Sequence, residues 1–442
     1  MIKGALNLVR WSSFRTFSIL STKNLDYCDD SVTTIQTILK SSDYHNTPIS
    51  ENIVSDVLRR YKHEWKSSLC FFNWASSQTV YGSQAYNKML DILGRMKQIE
   101  LMLQLFDEMP KQKVDRRTFE ILMNRCAGAH QITKLNEIFY RRGDYGFPID
   151  TEAFRQHLMY LCRYKHVEDA ETLFLQKQTE FPADIKTWNI ILNGWCVLGN
   201  YRESKRVWKD ILCSGCRPDL FTYGTFINAL TKAGKLNPAL DLFDKMSKKG
   251  HHPDVVIHNC MIDALCFKKR IPEALRLFAE MIHHGPLPNV ATYNSLIKHL
   301  CKIGRMEKAY ELLGDMELQK CFPNERTYTY FLKQAKSPDE VDCLRKRMGV
   351  IDSNDTYNLI LNLYVRWNHQ TGIQSIWSEM KPDRRSYIIM IHGFHSKGNL
   401  EGACKYFCEM KAKGMLPEPR TLVLMKQVEF EQARLEDDIK NN

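Results

Sequence analysis

Residues 219–324 decide the fold, and two successive segments within them read VVIHNCMIDALCFKKRIPEALRLFAEMIHHGPLPN (255–289) and VATYNSLIKHLCKIGRMEKAYELLGDMELQKCFPN (290–324). A Pro-Asp or Pro-Asn pair closes each segment, and these pairs recur at steps of 35 residues, ending at Asp219, Asp254, Asn289 and Asn324. Three further sets keep the same step: Leu230/Leu265/Leu300, Ala239/Ala274/Ala309 and Met246/Met281/Met316. A fixed period of this length is typical of solenoids.

Each segment is predicted to form two short helices. In residues 220–254, one apolar stripe of helical spacing precedes Gly234, and a second follows it before Gly250 and Pro253. A pair of helices this short cannot bury its apolar face alone, so neighbouring pairs must stack. The sequence therefore predicts an all-α solenoid of stacked antiparallel helix pairs.

Counting outward from the clear segments divides most of the chain into ten units. They are 83–115, 116–150, 151–184, 185–219, 220–254, 255–289, 290–324, 325–353, 354–383 and 384–418. The units 325–353 and 354–383 are short, so the stacking is expected to be irregular there. Because the terminal units of a solenoid lack one neighbour, residues 48–82 are expected to form a degenerate capping hairpin. Residues 419–442 are expected to form a C-terminal capping helix and tail.

The first 25 residues have the composition of a targeting segment. They contain Lys3, Arg10, Arg15 and Lys23, several Ser and Thr, and no acidic residue, and such a composition is typical of transit peptides. The sequence Arg15-Thr16-Phe17-Ser18 resembles a mitochondrial processing site. We therefore expect a mitochondrial transit peptide at 1–25 and a linker at 26–47, with a chloroplast address or an untargeted tail as alternatives. No run approaches the roughly 18 apolar residues of a membrane span, so no membrane partner is expected.

Charge and cysteine usage narrow the partners. The formal net charge of +11 favours an anionic partner such as nucleic acid. Four of the fourteen cysteines fall at one equivalent place, late in the first helix, where a small apolar side chain packs: Cys162, Cys196, Cys266 and Cys301. Cys213-Ser-Gly-Cys216 has no second pair at zinc spacing, so neither a metal nor a cofactor is predicted.

Many positions recur together, as in Asn-Val-Ala-Thr-Tyr-Asn294, Gly-Arg-Met-Glu-Lys-Ala309 and the closing Pro-Asn324. This pattern closely resembles the pentatricopeptide repeat family, over roughly residues 83–418. Repeats of uniform length without a further C-terminal domain are similar to its P class. The resemblance implies a right-handed superhelical solenoid that binds single-stranded RNA in an organelle and supports splicing, stability, end processing or translation of specific transcripts. Organellar RNA-processing proteins are further expected partners, and the chain is expected to be a monomer.

In this family the fifth and the last residue of each repeat read one base. Asparagine has both a donor and an acceptor, and the last residue biases the choice. Asn87/Asp115, Asn189/Asp219 and Asn358/Asp383 resemble uracil-reading pairs, whereas Asn259/Asn289 and Asn294/Asn324 resemble pairs that accept a pyrimidine. Thr329/Ser353 lies in a shortened repeat, and Glu120/Asp150, Arg155/Asp184, Gly224/Asp254 and Ile388/Glu418 depart from the pattern. The expected target, in parallel orientation, is U-n-n-U-n-Y-Y-n-U-n.

Two further sets of residues are expected to touch the RNA. The resemblance assigns base stacking to the second residue of a repeat, for which Phe221, Val256 and Ala291 fit. The thirteenth residues are candidates for phosphate contacts: Arg95, Arg163, Lys232, Lys302 and Arg366. These cations fit equally well as solvated helix ends whose charge offsets the helix dipole.

Three other interpretations compete. An Ala-x-x-x-Phe pattern, at Ala170/Phe174 and Ala239/Phe243, fits a tetratricopeptide-type scaffold that binds proteins, but the first helices carry aromatic-Asn pairs instead of that family's pattern. A component of an organellar ribosome or splicing complex remains a second alternative. An enzyme is disfavoured because the sequence has no phosphate-binding Gly loop, no H-E-x-x-H and no deaminase signature.

Overall fold

The structure is a computed structural model that describes residues 50–76 and 80–428. The predicted transit peptide, the linker and the tail after residue 428 lie outside the described residues. Within the described ranges all regular secondary structure is helical, which confirms the predicted all-α class. None of the helices in these ranges combines the length and the apolarity that a bilayer span requires.

The helices follow one another in pairs and are numbered here in chain order. They are α1 Glu51–Arg60, α2 Trp65–Ser76, α3 Ser83–Arg95, α4 Ile99–Glu108, α5 Arg116–Gly128, α6 Ile132–Arg141, α7 Thr151–Arg163, α8 Val167–Gln176, α9 Ile185–Leu198, α10 Tyr201–Cys213, α11 Leu220–Lys232, α12 Leu236–Lys248, α13 Val255–Phe267, α14 Ile271–His284, α15 Val290–Lys302, α16 Met306–Leu318, α17 Glu325–Leu332, α18 Pro338–Met348, α19 Asn354–Trp367, α20 Gln370–Glu379, α21 Arg384–Ser396 and α22 Leu400–Ala412. Residues 419–428 are also helical. Short 3₁₀ turns occupy Lys111–Lys113 and Gly143–Tyr145.

The first helix of a pair begins at a side-chain cap in most repeats. The capping residue accepts a hydrogen bond from a backbone N–H in the first turn, as at Asp115, Asp150, Asp184, Asp219, Asp254, Asn289, Asn324, Ser353 and Asp383. At Asn289 the arrangement is reciprocal, because the Thr292 hydroxyl accepts a hydrogen bond from the Asn289 backbone N–H. Each such cap satisfies donors that a helix leaves without a partner.

In nine of the ten repeats, the turn between the two helices places the fifteenth residue of the repeat in the left-handed region; the exception is 325–353, whose fifteenth residue, Asp339, lies in α18. Gly199, Gly234, Gly304 and Gly398 occupy this position at φ of 73° to 78°. The same position is held at positive φ by residues other than glycine in five repeats: Lys97, His130, Lys165, Lys269 and Asn368. The tight turn reverses the chain, so the two helices of a pair run antiparallel.

The chain divides between Ala229 and Leu230, inside α11, into two compact units. In the first unit, successive first helices pack side by side in the order α1, α3, α5, α7 and α9. In the second unit, α13, α15, α17, α19 and α21 form the same kind of row. Each row aligns the equivalent residues of neighbouring repeats.

The repeated apolar positions form the core of both units. The residue before the fifth-position asparagine is buried in most repeats, as with Tyr86, Trp188 and Tyr293. A buried apolar residue also recurs at the twenty-seventh position: Met109, Ile211, Met246, Met281, Met316, Met380 and Met410. In residues 116–150 this place is taken by Arg142, which is only 3% exposed.

The recurrent cysteines lie in or beside this core. Cys196, Cys266 and Cys301 are buried, and Cys162 is half-buried. Burial raises the pKa of the Cys162 thiol to about 12 and that of the Cys301 thiol to about 11. Thiols with so high a pKa have little thiolate at neutral pH, so Cys162 and Cys301 are poor nucleophiles.

Candidate nucleic-acid interface

The structure brings the members of all five predicted Asn pairs into contact. The asparagine Nδ2 donates to the last residue of its repeat in Asn87–Asp115 (3.0 Å), Asn189–Asp219 (3.1 Å), Asn259–Asn289 (3.3 Å), Asn294–Asn324 (3.4 Å) and Asn358–Asp383 (3.3 Å). These contacts join residues 25 to 30 positions apart. The fold of each of these repeats therefore places its fifth residue beside its last residue.

Each last residue is also the N-cap of the next repeat's first helix. Asp219 accepts from the backbone N–H of Thr222 at 2.8 Å and contacts the Thr222 hydroxyl at 2.7 Å. Burial alone raises the pKa of the Asp219 carboxyl, but hydrogen bonds from Thr222 and Asn189 outweigh it and hold that pKa below its ordinary value. The carboxylate is thus ionised at neutral pH and acts only as an acceptor.

A hydroxyl from the next repeat completes three of these sites. The hydroxyl oxygen lies 2.7 Å from the asparagine Oδ1 in the pairs Thr222–Asn189, Thr327–Asn294 and Ser386–Asn358. The Oδ1 atoms of Asn87 and Asn259 are shielded from solvent and have no hydrogen-bond partner. Sequence reasoning missed the hydroxyl, although the Asp/Asn-x-x-Thr/Ser spacing of a capping box was present.

In the first unit, residues predicted for three different roles surround one cavity. The cavity has a volume of about 630 Å³, within the roughly 300–1,000 Å³ of typical ligand sites. Its lining includes Asn189 and Asp219 of the predicted base-reading pair, the Phe221 ring and Arg163. Phe221 is 57% exposed, so its ring is free to stack on a planar ligand.

The remaining stacking and phosphate candidates lie on the surface. Val256 and Ala291 are exposed in the second unit. The five thirteenth-position cations are also exposed: Arg95, Arg163, Lys232, Lys302 and Arg366. The Arg95 guanidinium lies 2.8 Å from the Asp91 carboxylate, so part of its charge is neutralised.

Two repeats that depart from the pattern use ion pairs instead. Arg155 and Asp184 occupy the fifth and last positions and lie 2.6 Å apart, and Arg155 also contacts Glu152 at 2.7 Å. In the repeat before, Glu120 lies 3.3 Å from Arg116. A separate cavity of about 560 Å³, beside Arg345 and Tyr357, is lined by none of the predicted site residues.

The described ranges contain no candidate metal site. Among residues 50–76 and 80–428, His, Cys, Asp and Glu side chains do not gather in groups of three or more that could hold a metal ion. Cys213 is exposed at the end of α10, and Cys216 follows it in the loop.

Comparison with known proteins identifies relatives of the chain. The model of the "PPR repeat family" matches residues 183–232, 220–256, 253–302 and 288–335, and that of the "PPR repeat" matches 84–114 and 385–415. A putative pentatricopeptide repeat-containing protein of Arabidopsis thaliana is 52% identical over 393 residues, covering 86% of this chain and 75% of the relative. A mitochondrial pentatricopeptide repeat-containing protein of the same plant is 40% identical over 441 residues, covering 96% and 97%.

The fold is also similar to that of a solved structure. The crystal structure of the maize pentatricopeptide repeat protein PPR10 matches with a TM-score of 0.50 at 22% identity, covering 93% of this chain and 68% of that one. The complex of PPR10 with an 18-nt psaJ RNA element matches with a TM-score of 0.42.

Proposed function

Since the chain belongs to the pentatricopeptide repeat family, we propose that it binds single-stranded RNA and reads about one base per repeat. The proposed target is pyrimidine-biased and follows U-n-n-U-n-Y-Y-n-U-n. In this proposal the protein belongs to the P class, has no catalytic activity of its own and supports splicing, stability, end processing or translation of specific transcripts. Monomeric state and contacts with organellar RNA-processing proteins stay predictions.

The cavity around Asn189 and Asp219 carries the proposal. One Nδ2 hydrogen of Asn189 is bonded to Asp219, which leaves the second for a base carbonyl oxygen. The Asp219 carboxylate can accept the N3–H of uracil, while the exposed Phe221 ring offers a stacking surface. Arg163 lines the same cavity and can neutralise a phosphate. The donor, the acceptor, the ring and the cation thus match the carbonyl oxygen, the N3–H, the base plane and the phosphate of one nucleotide.

The binding itself can be tested by fluorescence anisotropy with a pyrimidine-rich RNA, single-stranded or annealed to its complement. We expect binding to the single strand and much weaker binding to the duplex. Asn189→Ala should weaken binding by roughly 1–3 kcal/mol, the range of a base contact. Gln176→Ala, which removes an exposed amide on the second helix α8, is the matched control and should bind as the wild type does. Equal affinity for single strand and duplex would refute the proposal.

For the cellular site we propose the mitochondrion, with the chloroplast as the alternative. The support is that relatives such as the 40% identical Arabidopsis protein carry the label mitochondrial. A fluorescent fusion of the full chain should accumulate with a mitochondrial marker, whereas overlap with chlorophyll would favour the alternative.

A further inference from the structure

Two neighbouring repeats carry the same side chains at the predicted site yet are bonded differently. Residues 255–289 contain Asn259 and Asn289, followed by Thr292 in the next repeat. Residues 290–324 contain Asn294 and Asn324, followed by Thr327. All of these residues lie in the second compact unit. A reading of residue types alone therefore predicts the same base preference for both repeats.

In the second of these repeats a hydroxyl holds the asparagine. The Thr327 Oγ1 lies 2.7 Å from the Asn294 Oδ1 and 3.0 Å from the Asn324 Oδ1, so its single hydrogen goes to Asn294. It also accepts from the Asn324 backbone N–H at 3.2 Å. Turning the Asn294 amide end for end breaks this short bond and the 3.4 Å bond to Asn324.

In the first repeat the corresponding hydroxyl, that of Thr292, makes no hydrogen bond to Asn259. The Thr292 Oγ1 lies 3.1 Å from the Asn289 Oδ1 and accepts from the Asn289 backbone N–H at 3.1 Å. The Asn259 Oδ1 has no hydrogen-bond partner, although it is shielded from solvent. Turning the Asn259 amide breaks one bond of 3.3 Å, that of Nδ2 to Asn289.

We propose that the third residue of a repeat is a positioning residue: its hydroxyl fixes which end of the amide of the fifth-position asparagine in the preceding repeat faces the RNA. This inference rests on the proposed function. Where the hydroxyl holds Oδ1, as at Asn294, only an N–H donor is offered, which suits the carbonyl oxygen of a pyrimidine. At Asn259 the amide can turn and offer its oxygen, which accepts the amino group of adenine. Repeats with identical fifth and last residues then differ in how strictly they read.

The same contact recurs in two other repeats, whereas the Asn87 Oδ1 has no hydrogen-bond partner. The Thr222 Oγ1 lies 2.7 Å from the Asn189 Oδ1 and also 2.7 Å from the Asp219 Oδ1. The Ser386 Oγ lies 2.7 Å from the Asn358 Oδ1 and 2.9 Å from the Asp383 Oδ1. At both of these sites the last residue is an ionised aspartate that also favours Nδ2 facing it. At Asn294 the last residue is the neutral Asn324, so the orientation of the amide depends most on the Thr327 hydroxyl. This site therefore gives the sharpest test.

The experiment uses RNAs with one nucleotide for each predicted repeat, based on UAAUACCAUA. In separate series the sixth nucleotide, opposite Asn259, and the seventh, opposite Asn294, are changed from cytosine to adenine. Affinities are measured by anisotropy with the full chain. In the wild type we expect the seventh position to discriminate against adenine about tenfold more strongly than the sixth, because one additional hydrogen bond is worth about that factor.

Matched variants separate positioning from helix capping. Thr327→Val and Thr292→Val remove the same capping contacts, but only Thr327→Val releases an asparagine. Thr327→Val should reduce discrimination at the seventh nucleotide to the level of the sixth, and Thr327→Ser should restore it. Thr292→Val should leave the sixth unchanged. RNA binding with equal discrimination at the two positions in the wild type overturns the inference alone. No binding to any RNA of the panel overturns it together with the proposed function.

Discussion

Arg155 donates from Nη1 to the Asp184 carboxylate over 2.6 Å, at the two positions where the following repeat carries Asn189 and Asp219. The Arg155 side chain is only 17% exposed, and its Nε and Nη2 atoms contact Glu152. The guanidinium is thus occupied from both sides. An ion pair fills the place where the following repeat has the Asn189 amide.

This ion pair suggests a way to add base reading to residues 151–184. We expect Arg155→Asn to create a preference for uracil at the third nucleotide, by about tenfold, because an amide and the Asp184 carboxylate would then face the strand together. Anisotropy with the third nucleotide varied measures it. Arg141→Asn is the control, since it removes an Arg141–Asp107 ion pair of the same 2.6 Å length on a second helix. A preference that appears in both variants, or in neither, contradicts the prediction.

Arg142→Met should stabilise the protein by about 1–3 kcal/mol, because it replaces a buried charge by the methionine that other repeats carry in that place. The Nε and Nη1 atoms of Arg142 have no hydrogen-bond partner. Burial and the nearby Arg116 lower the pKa of Arg142, and attraction from Asp150 and Glu120 only partly offsets this. Denaturant titration of the full chain measures the change. Arg141→Met, at the neighbouring position, should shift stability far less, and a less stable Arg142→Met variant would contradict the prediction.

Stability should fall when the pH is lowered from 7 to 5, through His157. Burial lowers the pKa of His157 in the folded protein to about 4, against about 6.5 in the unfolded chain. The unfolded state therefore takes up a proton that the folded state refuses, and this costs about 2 kcal/mol by pH 5. His157→Phe should remove this part of the loss, because the side chain already packs against the Phe139 ring at 4.7 Å. In melts at both pH values, His63→Asn, at an exposed site, should keep the wild-type dependence. An unchanged slope in His157→Phe would rule out His157 as the source.

The turn position offers a pair of opposite substitutions in the second unit. Lys269 and Gly304 are both fifteenth residues of their repeats, at φ of 60° and 78°. We expect Lys269→Gly to raise the free energy of unfolding by about 0.5–1 kcal/mol, because glycine adopts the left-handed region without steric cost. Gly304→Ala should lower the free energy of unfolding by about 1 kcal/mol. A Cβ at Gly304 meets no atom within 4 Å, so the cost is one of backbone conformation alone. Thermal melts of both variants should move in opposite directions, and shifts of the same sign would argue against this explanation.

Much of the architecture follows from the repeat. Because Pro253 and Pro288 precede residues one period apart, the sequence locates the helix starts that follow Asp254 and Asn289. Side-chain spacing also indicates that Asn259 and Asn294 are equivalent. The roles of these asparagines in RNA binding stay predictions.

Other features could not be read from the residues. Arg142 takes the place of a core methionine, and only packing decides that it is buried instead of turned to solvent. Likewise, Arg155 and Asp184 are 29 residues apart, and their ion pair depends on how two successive helices lie against each other. Local sequence does not encode such distances.

The amino-acid sequence by itself determined the all-α class, the length of the repeat and the set of residues that share one position in it, because periodic apolar residues can be buried only by stacking. The tertiary structure alone decided that Thr327 reaches the Asn294 amide while Thr292 leaves Asn259 without a partner. The reason is that a change of a few tenths of an ångström in the donor–acceptor distance decides whether a hydrogen bond forms between two repeats. Two repeats with identical residue types can differ by that amount.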